Sequence, residues 1–136
     1  MKGIYILVVN LQNDSKIRIG SMGIIPFRKG TYAYVGSAMG GLEARIRRHL
    51  RTRKKLHWHI DYLLKRAVVM KVLVKGTSSK SEECRTAGLL QSFGAAAVED
   101  FGSSDCKCAS HLFYFNSIPE LQISNFTKHE NPACMQ

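Results

Sequence analysis

Tyrosine, arginine and histidine side chains occur where a strand, a turn and a helix would bring them together. Residues 31–36 alternate as a strand does, which sends Tyr34 to one face of a sheet. A turn of small residues leads into a basic helix over 42–53, in which Arg45 and His49 are four residues apart and project from one face. A tyrosine at a strand end beside an arginine and histidine face is suited to holding a phosphate group.

Positive charge is concentrated in this helix and just after it. The chain has 20 Lys+Arg against 10 Asp+Glu, a formal net charge of +10, and the densest run is 45–55. Such an excess favours a polyanionic partner, with nucleic acid preferred over a membrane surface. The other interpretation is a solvated face that keeps the protein soluble. The candidate contacts to nucleic acid are Ser37, Arg47, Arg48, Arg51, Arg53, Lys54 and Lys55.

Three cysteines and a histidine form a candidate metal site. Cys84, Cys106, Cys108 and His111 offer a ligand set that tetrahedral zinc accepts. The CxC spacing is less typical of zinc sites than CxxC, and Cys84 is distant in sequence from the others. Reduced, half-buried cysteines are therefore the alternative interpretation.

An HxHxD run is a further chemical signal, formed by His57, His59 and Asp61. These side chains would suit a metal ion or a contact with nucleic acid. Beside Trp58 they are equally typical of polar positions on a second helix, on differing faces, so no catalytic role is assigned to them.

Length and composition predict one domain with its own core, because 136 residues with 45% hydrophobic and 22% charged content are ordinary for a globular chain. Strands are predicted over 3–11, 16–20, 31–36, 67–75 and 110–116, and helices over 42–53, 57–66 and 81–93. We expect the first two strands to form a hairpin within a three-stranded meander. The element order predicts an α+β fold with a small mixed, mainly antiparallel sheet flanked by helices. Residues 1–116 would form the domain and 117–136 a partly ordered tail.

No apolar run approaches the ~20 residues that a membrane-spanning helix needs. Four cysteines are too few for the dense disulfide framework of a small secreted domain, so reduced thiols are expected. The sequence therefore predicts a cytoplasmic protein without a membrane partner.

Two tripeptides carry a resemblance to a known superfamily. Gly3-Ile4-Tyr5 followed by Tyr34-Val35-Gly36 resembles the paired signature of the GIY-YIG nucleases, with Val35 in place of the middle isoleucine. Arg45, His49 and Glu83 follow in the order of that superfamily's arginine, its histidine or tyrosine, and its metal-binding glutamate. The segments YVGSA, GGLEARIRRH, HWHIDYL and FGSSDCKCASHLFYF are similar to an archaeal and bacterial branch of the superfamily. Members of that branch occur alone or attached to a repair glycosylase of the endonuclease III type. The likeness covers nearly the whole chain except the last 20 or so residues.

The resemblance implies an endonuclease that hydrolyses DNA phosphodiester bonds in repair or processing, with DNA a better expectation than RNA and a repair glycosylase as a candidate partner. It implies that Glu83 is the protein ligand of a single Mg²⁺ or Mn²⁺ ion, which such a hard cation permits. Tyr5 would be the general base, Tyr34 would orient the water or phosphate, and Arg45 would bind phosphate oxygens. His49 would relay the proton from Tyr5 or bind the phosphate.

The chain departs from the superfamily pattern in two places. The gap between Tyr5 and Tyr34 is longer than usual and is filled by an extra strand, and Ser37 stands where many of these nucleases carry a lysine. The alternatives are a nucleic-acid-binding module that keeps the fold without catalysis, and an accessory interaction module of a repair enzyme.

Overall fold

The computed structural model describes residues 1–93, 96–103, 108–115 and 126–128. Within these residues it has three α-helices: α1 (Leu42–Leu50), α2 (His59–Leu64) and α3 (Ser81–Ser92). The strands are β1 (Gly3–Leu11), β2 (Ser15–Arg18), β3 (Ile24–Phe27), β4 (Gly30–Ala38), β5 (Val68–Gly76), β6 (Ala96–Ala97), β7 (Leu112–Phe115) and β8 (Thr127–Lys128). A 3₁₀ turn spans Gly20–Met22. None of the helices in this part of the chain is both long and apolar enough to cross a bilayer.

The main sheet is built around β1, and its strand order is β6-β7-β4-β1-β5-β8. Both neighbours of β1 run antiparallel to it along nearly its whole length. All but one residue of β1 is buried, because the strand has sheet neighbours on both edges and side chains packed on both faces. The expected α+β fold with a mainly antiparallel sheet is confirmed.

Helices cover both faces of this sheet. On one face, side chains of β1 and β4 pack against α1 and α2 in a cluster that includes Tyr5, Leu7, Tyr34, Ile46 and Ile60. On the other face, Ile4, Ile6 and Val35 pack with Ala87 and Leu90 of α3. The strands are therefore the middle layer, between α1 and α2 on one face and α3 on the other.

The predicted pairing of the second strand is wrong. β2 pairs with β3, in a stretch expected to be a loop, and the two form a separate hairpin. Both edges of β1 are already hydrogen-bonded to β4 and β5, so no edge is left for β2. Ile17 and Phe27 anchor the hairpin by burying their side chains in the core. The β2–β3 hairpin thus lies between β1 and β4 in the sequence but leaves these two strands as direct neighbours in the sheet.

Several element ends differ from the prediction. Helix α1 stops at Leu50 rather than residue 53, because the Lys54 ammonium donates to the carbonyl oxygens of His49 (2.6 Å) and Arg51 (3.0 Å). Part of the predicted tail is a strand, since β8 pairs with Leu73 and Val74. Apart from Phe126, the rest of that tail lies outside the described residues, as does the candidate ligand Cys106.

Candidate active site

The two signature tripeptides face each other across the β1–β4 pair. Tyr5 lies directly opposite Gly36 in the register. A Cβ atom at Gly36 would overlap the ring and hydroxyl of Tyr5, so only glycine leaves room for that ring. Gly3 is similarly enclosed, because a Cβ there would overlap the carbonyl oxygen of Lys75. The ring centroids of Tyr5 and Tyr34 are 6.4 Å apart, so the longer gap between the motifs does not separate the two tyrosines.

Tyr5 is joined to the last turn of α1 by a buried hydrogen bond. Its hydroxyl oxygen lies 2.7 Å from Nε2 of His49, and both residues are 2% exposed. Burial raises the pKa of Tyr5 well above its usual value, although the nearby Arg45 cation opposes the shift. Burial also lowers the pKa of His49 to about 3, against the attraction of Asp61. At neutral pH the pair is therefore a phenol and a neutral imidazole, whereas the sequence-based role for Tyr5 calls for a more acidic tyrosine.

Asp61 lies next to the Tyr5–His49 pair and accepts hydrogen bonds from the surrounding residues. It is fully buried and accepts two bonds from the Arg48 guanidinium, at 2.9 and 3.0 Å. Its Oδ2 also accepts from the backbone amides of His57 (2.8 Å) and Trp58 (2.9 Å), which fixes the start of α2. Burial alone would raise the pKa of Asp61, but these hydrogen bonds outweigh it and lower the pKa.

The other imidazole nitrogen of His49, Nδ1, lies near Asp61 without a hydrogen bond to it. Nδ1 lies 4.0 Å from Asp61 Oδ1, longer than a hydrogen bond, and it is buried without a hydrogen-bond partner among the described residues. The imidazole of His49 thus has the Tyr5 hydroxyl at Nε2 and the Asp61 carboxylate near Nδ1. Sequence reasoning noticed Asp61 only as part of an HxHxD run, and the proximity of that run to the basic helix was the available signal.

Arg45 is held at the site by two contacts. Its guanidinium carbon is 4.4 Å from the centre of the Trp58 ring, and its Nη1 donates to the carbonyl oxygen of Ser37 at 3.0 Å. Arg48 also lies over the Trp58 ring, at 4.3 Å. Trp58 is therefore a platform for two cations.

A solvent-open cavity of about 590 Å³ is lined by four of the five predicted catalytic residues, all except His49. Its walls include Tyr5, Tyr34, Ser37, Arg45, Lys80 and Glu83. Glu83 is the single carboxylate among the described lining residues, whereas the neighbouring Glu82 is hydrogen-bonded to the Lys75 ammonium at 2.9 Å. The structure thus separates the two glutamates, which the sequence left as competitors. Lys80, immediately before α3, was missed by sequence reasoning and also lines this cavity.

The two histidines of the HxHxD run also line this cavity. His59 Nδ1 accepts a hydrogen bond from the Gly102 amide at 3.2 Å, and burial lowers the pKa of His59. His57 is exposed and packs edge-on against Trp58.

The predicted nucleic-acid contacts comprise Ser37, which lines the cavity, and six basic residues that fall into two groups. Arg47, Arg51, Arg53 and Lys55 are exposed. Arg48 and Lys54 instead bond inward, Arg48 to Asp61 and Lys54 to the carbonyls that end α1. The exposed group is the part of the basic segment that can meet a partner directly.

A second cluster lies beside the cavity. Cys84, Cys108 and His111 each present a ligand atom, and these atoms all lie within 4.8 Å of one another. Nδ1 of His111 is 3.9 Å from Oε1 of Glu83. These three of the four predicted ligands therefore come together, next to the carboxylate of the cavity.

Comparison with known proteins gives one family and no individual relatives. No curated protein and no solved structure matches the chain. Residues 4–131 match the model of a family described as a domain of unknown function, DUF123, and the chain belongs to that family.

Proposed function

We propose that this protein is a divalent-metal-dependent endonuclease that hydrolyses DNA phosphodiester bonds. The observation that carries the proposal is the meeting of Tyr5, Tyr34, Arg45 and Glu83 on one open cavity, with His49 hydrogen-bonded to Tyr5. These residues come from two strands and two helices, so their meeting is not a consequence of sequence proximity. The resemblance to GIY-YIG nucleases assigns a role to each of them.

The cavity fits a hard divalent cation. Mg²⁺ or Mn²⁺ keeps most of its waters and needs only one or two carboxylates, which the single carboxylate of Glu83 on an open, polar wall satisfies. Glu83 would hold the ion. When bound, the ion supplies Lewis-acid polarisation of the phosphate and stabilises the leaving oxygen.

Arg45 would bind the phosphate. Stacking on Trp58 and the bond to the Ser37 carbonyl restrict its guanidinium before any substrate enters. A planar guanidinium matches two phosphate oxygens, and its charge offsets the charge that develops there. Lys80 on the same cavity would add a second cation in place of the lysine that Ser37 replaces.

Tyr5 would act together with His49 and Asp61. In the resting pair the Tyr5 hydroxyl would donate to Nε2, and the hydrogen of the neutral imidazole would then be on Nδ1, toward Asp61. When water attacks the phosphorus, the bond from phosphorus to the leaving sugar oxygen would break, and that oxygen would take a proton from solvent. The proton of the attacking water would pass to the Tyr5 oxygen while the Tyr5 proton passes to Nε2. The Asp61 carboxylate then stabilises the imidazolium. This route lets Tyr5 accept a proton without first becoming a phenolate, which its burial opposes.

The exposed cations Arg47, Arg51, Arg53 and Lys55 would track the DNA backbone. The described residues include no separate recognition element, so contacts to phosphate would dominate binding and sequence preference would be weak.

A second candidate function is nucleic-acid binding without catalysis. Ser37 in place of a lysine and the raised pKa of Tyr5 both favour it. The two functions share the basic surface and differ only in whether bonds are cut.

The test is incubation of the purified protein with supercoiled, nicked, branched and abasic DNA in Mg²⁺ or Mn²⁺. The proposal predicts cleavage of at least one substrate that stops when the metal is chelated. Salt-sensitive binding to these DNAs with no cleavage of any of them would support the binding module instead.

A further inference from the structure

We propose that Cys84, Cys108 and His111 bind a zinc ion that fastens the start of α3 to the segment entering β7. Cys84 lies in the first part of α3, and His111 immediately precedes β7. Their ligand atoms and the sulfur of Cys108 lie within 4.8 Å of one another. Nothing in the proposed nuclease chemistry uses these three side chains.

The donor set selects the metal. Two thiolates and an imidazole are soft and borderline ligands, which suit zinc and do not suit Mg²⁺ or Mn²⁺. Cys108 and His111 have the x₂ spacing with which a short turn commonly presents two zinc ligands. The cluster is therefore a different kind of site from the single carboxylate of Glu83.

The distances between the three ligand atoms are close to those expected around a bound zinc ion. Zinc at ~2.3 Å from sulfur and ~2.0 Å from nitrogen in a tetrahedron places the ligand atoms roughly 3.5 Å apart. Closing from 4.8 Å needs a movement of about 1 Å, which small side-chain rotations supply. His111 is 1% exposed, and both cysteines are half-buried, so the ion would be shielded on one side and reachable on the other.

The cluster lies next to Glu83, so a bound zinc ion would influence where that carboxylate is held. Glu83 precedes Cys84 in the chain, and its Oε1 lies 3.9 Å from Nδ1 of His111. A metal that holds Cys84 and His111 would fix the backbone and the ring on either side of this carboxylate. This consequence rests on the proposed function, whereas zinc binding itself does not.

The test is the zinc content of the untagged protein, purified without chelators and measured by mass spectrometry. We expect about one zinc per chain, falling at least about tenfold in Cys84→Ser and Cys108→Ser. Cys134→Ser, a cysteine outside the matched family region, is the control and should keep its zinc. Replacing zinc with Co²⁺ in the wild type should give a thiolate-to-metal charge-transfer band in the near ultraviolet.

A further measurement covers the case in which the cysteine variants do not fold. A zinc chelator should lower the melting temperature of the wild type, and added Zn²⁺ should restore it. Glu83→Gln should bind zinc like the wild type, which separates this proposal from the nuclease proposal. Wild-type protein with no zinc and no cobalt–thiolate band, or equal loss of zinc in Cys134→Ser, would overturn the assignment.

Discussion

The hydroxyl oxygen of Tyr5 lies 2.7 Å from Nε2 of His49, although 44 residues separate them in the chain. This bond ties the central strand to the last turn of the basic helix. Because both groups are buried, each is held in its neutral form at pH 7. The bond therefore marks the place where a proton can move without a permanent charge being buried.

Removing the Tyr5 hydroxyl should affect catalysis and spare binding. We expect Tyr5→Phe to lower the single-turnover cleavage rate by about 10²-fold or more, a typical contribution of a positioned acid–base group. DNA affinity should stay within about twofold, because the exposed arginines are unchanged. Tyr32→Phe is the matched control: it removes another tyrosine hydroxyl on the same face of the sheet, bonded to the Arg28 carbonyl. Equal cleavage by wild type and Tyr5→Phe would contradict the role assigned to Tyr5.

Asp61 should contribute strongly to stability. Asp61→Asn weakens both bonds from Arg48 and the two backbone bonds that start α2, and it leaves Arg48 without its carboxylate partner. We expect the free energy of unfolding to fall by about 3 kcal/mol at pH 7, measured by urea denaturation. Glu82→Gln, which removes the solvent-screened pair with Lys75, should cost much less stability than Asp61→Asn. Similar losses in the two variants would show that the Asp61 network does not stabilise the fold.

Stability should decline in mild acid because of His49. Its pKa is about 3 in the folded protein and near 6.5 when unfolded, so between these values only the unfolded chain binds the proton. Its contribution is therefore complete above pH 6.5 and is lost as the pH falls toward 3. His49→Gln should be less stable at pH 7 but show a flatter fall between pH 7 and pH 5. The measurement is urea denaturation of both proteins across this range, and identical slopes would exclude His49 as the source.

The exposed and the inward-bonded arginines should behave differently. Arg47→Gln or Arg51→Gln should weaken DNA binding and reduce the slope of log affinity against log salt by about 0.9 for each phosphate that the protein no longer neutralises. Their melting temperatures should stay near that of the wild type. Arg48→Gln should instead lower the melting temperature, because it breaks the pair with Asp61. Salt titrations by fluorescence anisotropy, with melting curves, test this; unchanged slopes in both surface variants would place the DNA elsewhere.

Sequence patterns predicted the central strand β1, because a run of nine largely apolar residues is best buried between two other strands. They missed β3, since Pro26 and flanking glycines made residues 21–30 look like a loop. Strand order depends on which edge of β1 is free, and local alternation does not contain that information.

The sequence predicted the candidate site only in part. The order of Tyr5, Tyr34, Arg45, His49 and Glu83 was visible through the resemblance, and these residues do come together, with four lining the cavity and His49 bonded to Tyr5. Helical spacing gave no sign that Arg48 folds back onto Asp61, because an inward-bonded cation and a solvated one have the same periodicity. The pKa directions of Tyr5 and His49 follow from burial, which only the packed structure reveals.

The most direct test of the nuclease proposal compares Glu83→Gln with Glu82→Gln. Both substitutions remove one carboxylate charge from the first turn of α3, but only Glu83 lines the cavity. Cleavage and binding would be measured in the same DNA samples, with Mg²⁺ or Mn²⁺ and with chelator. The proposal predicts that Glu83→Gln loses metal-dependent cleavage and keeps binding, while Glu82→Gln retains both. Undiminished metal-dependent cleavage by Glu83→Gln, or no cleavage by the wild-type protein, would contradict it.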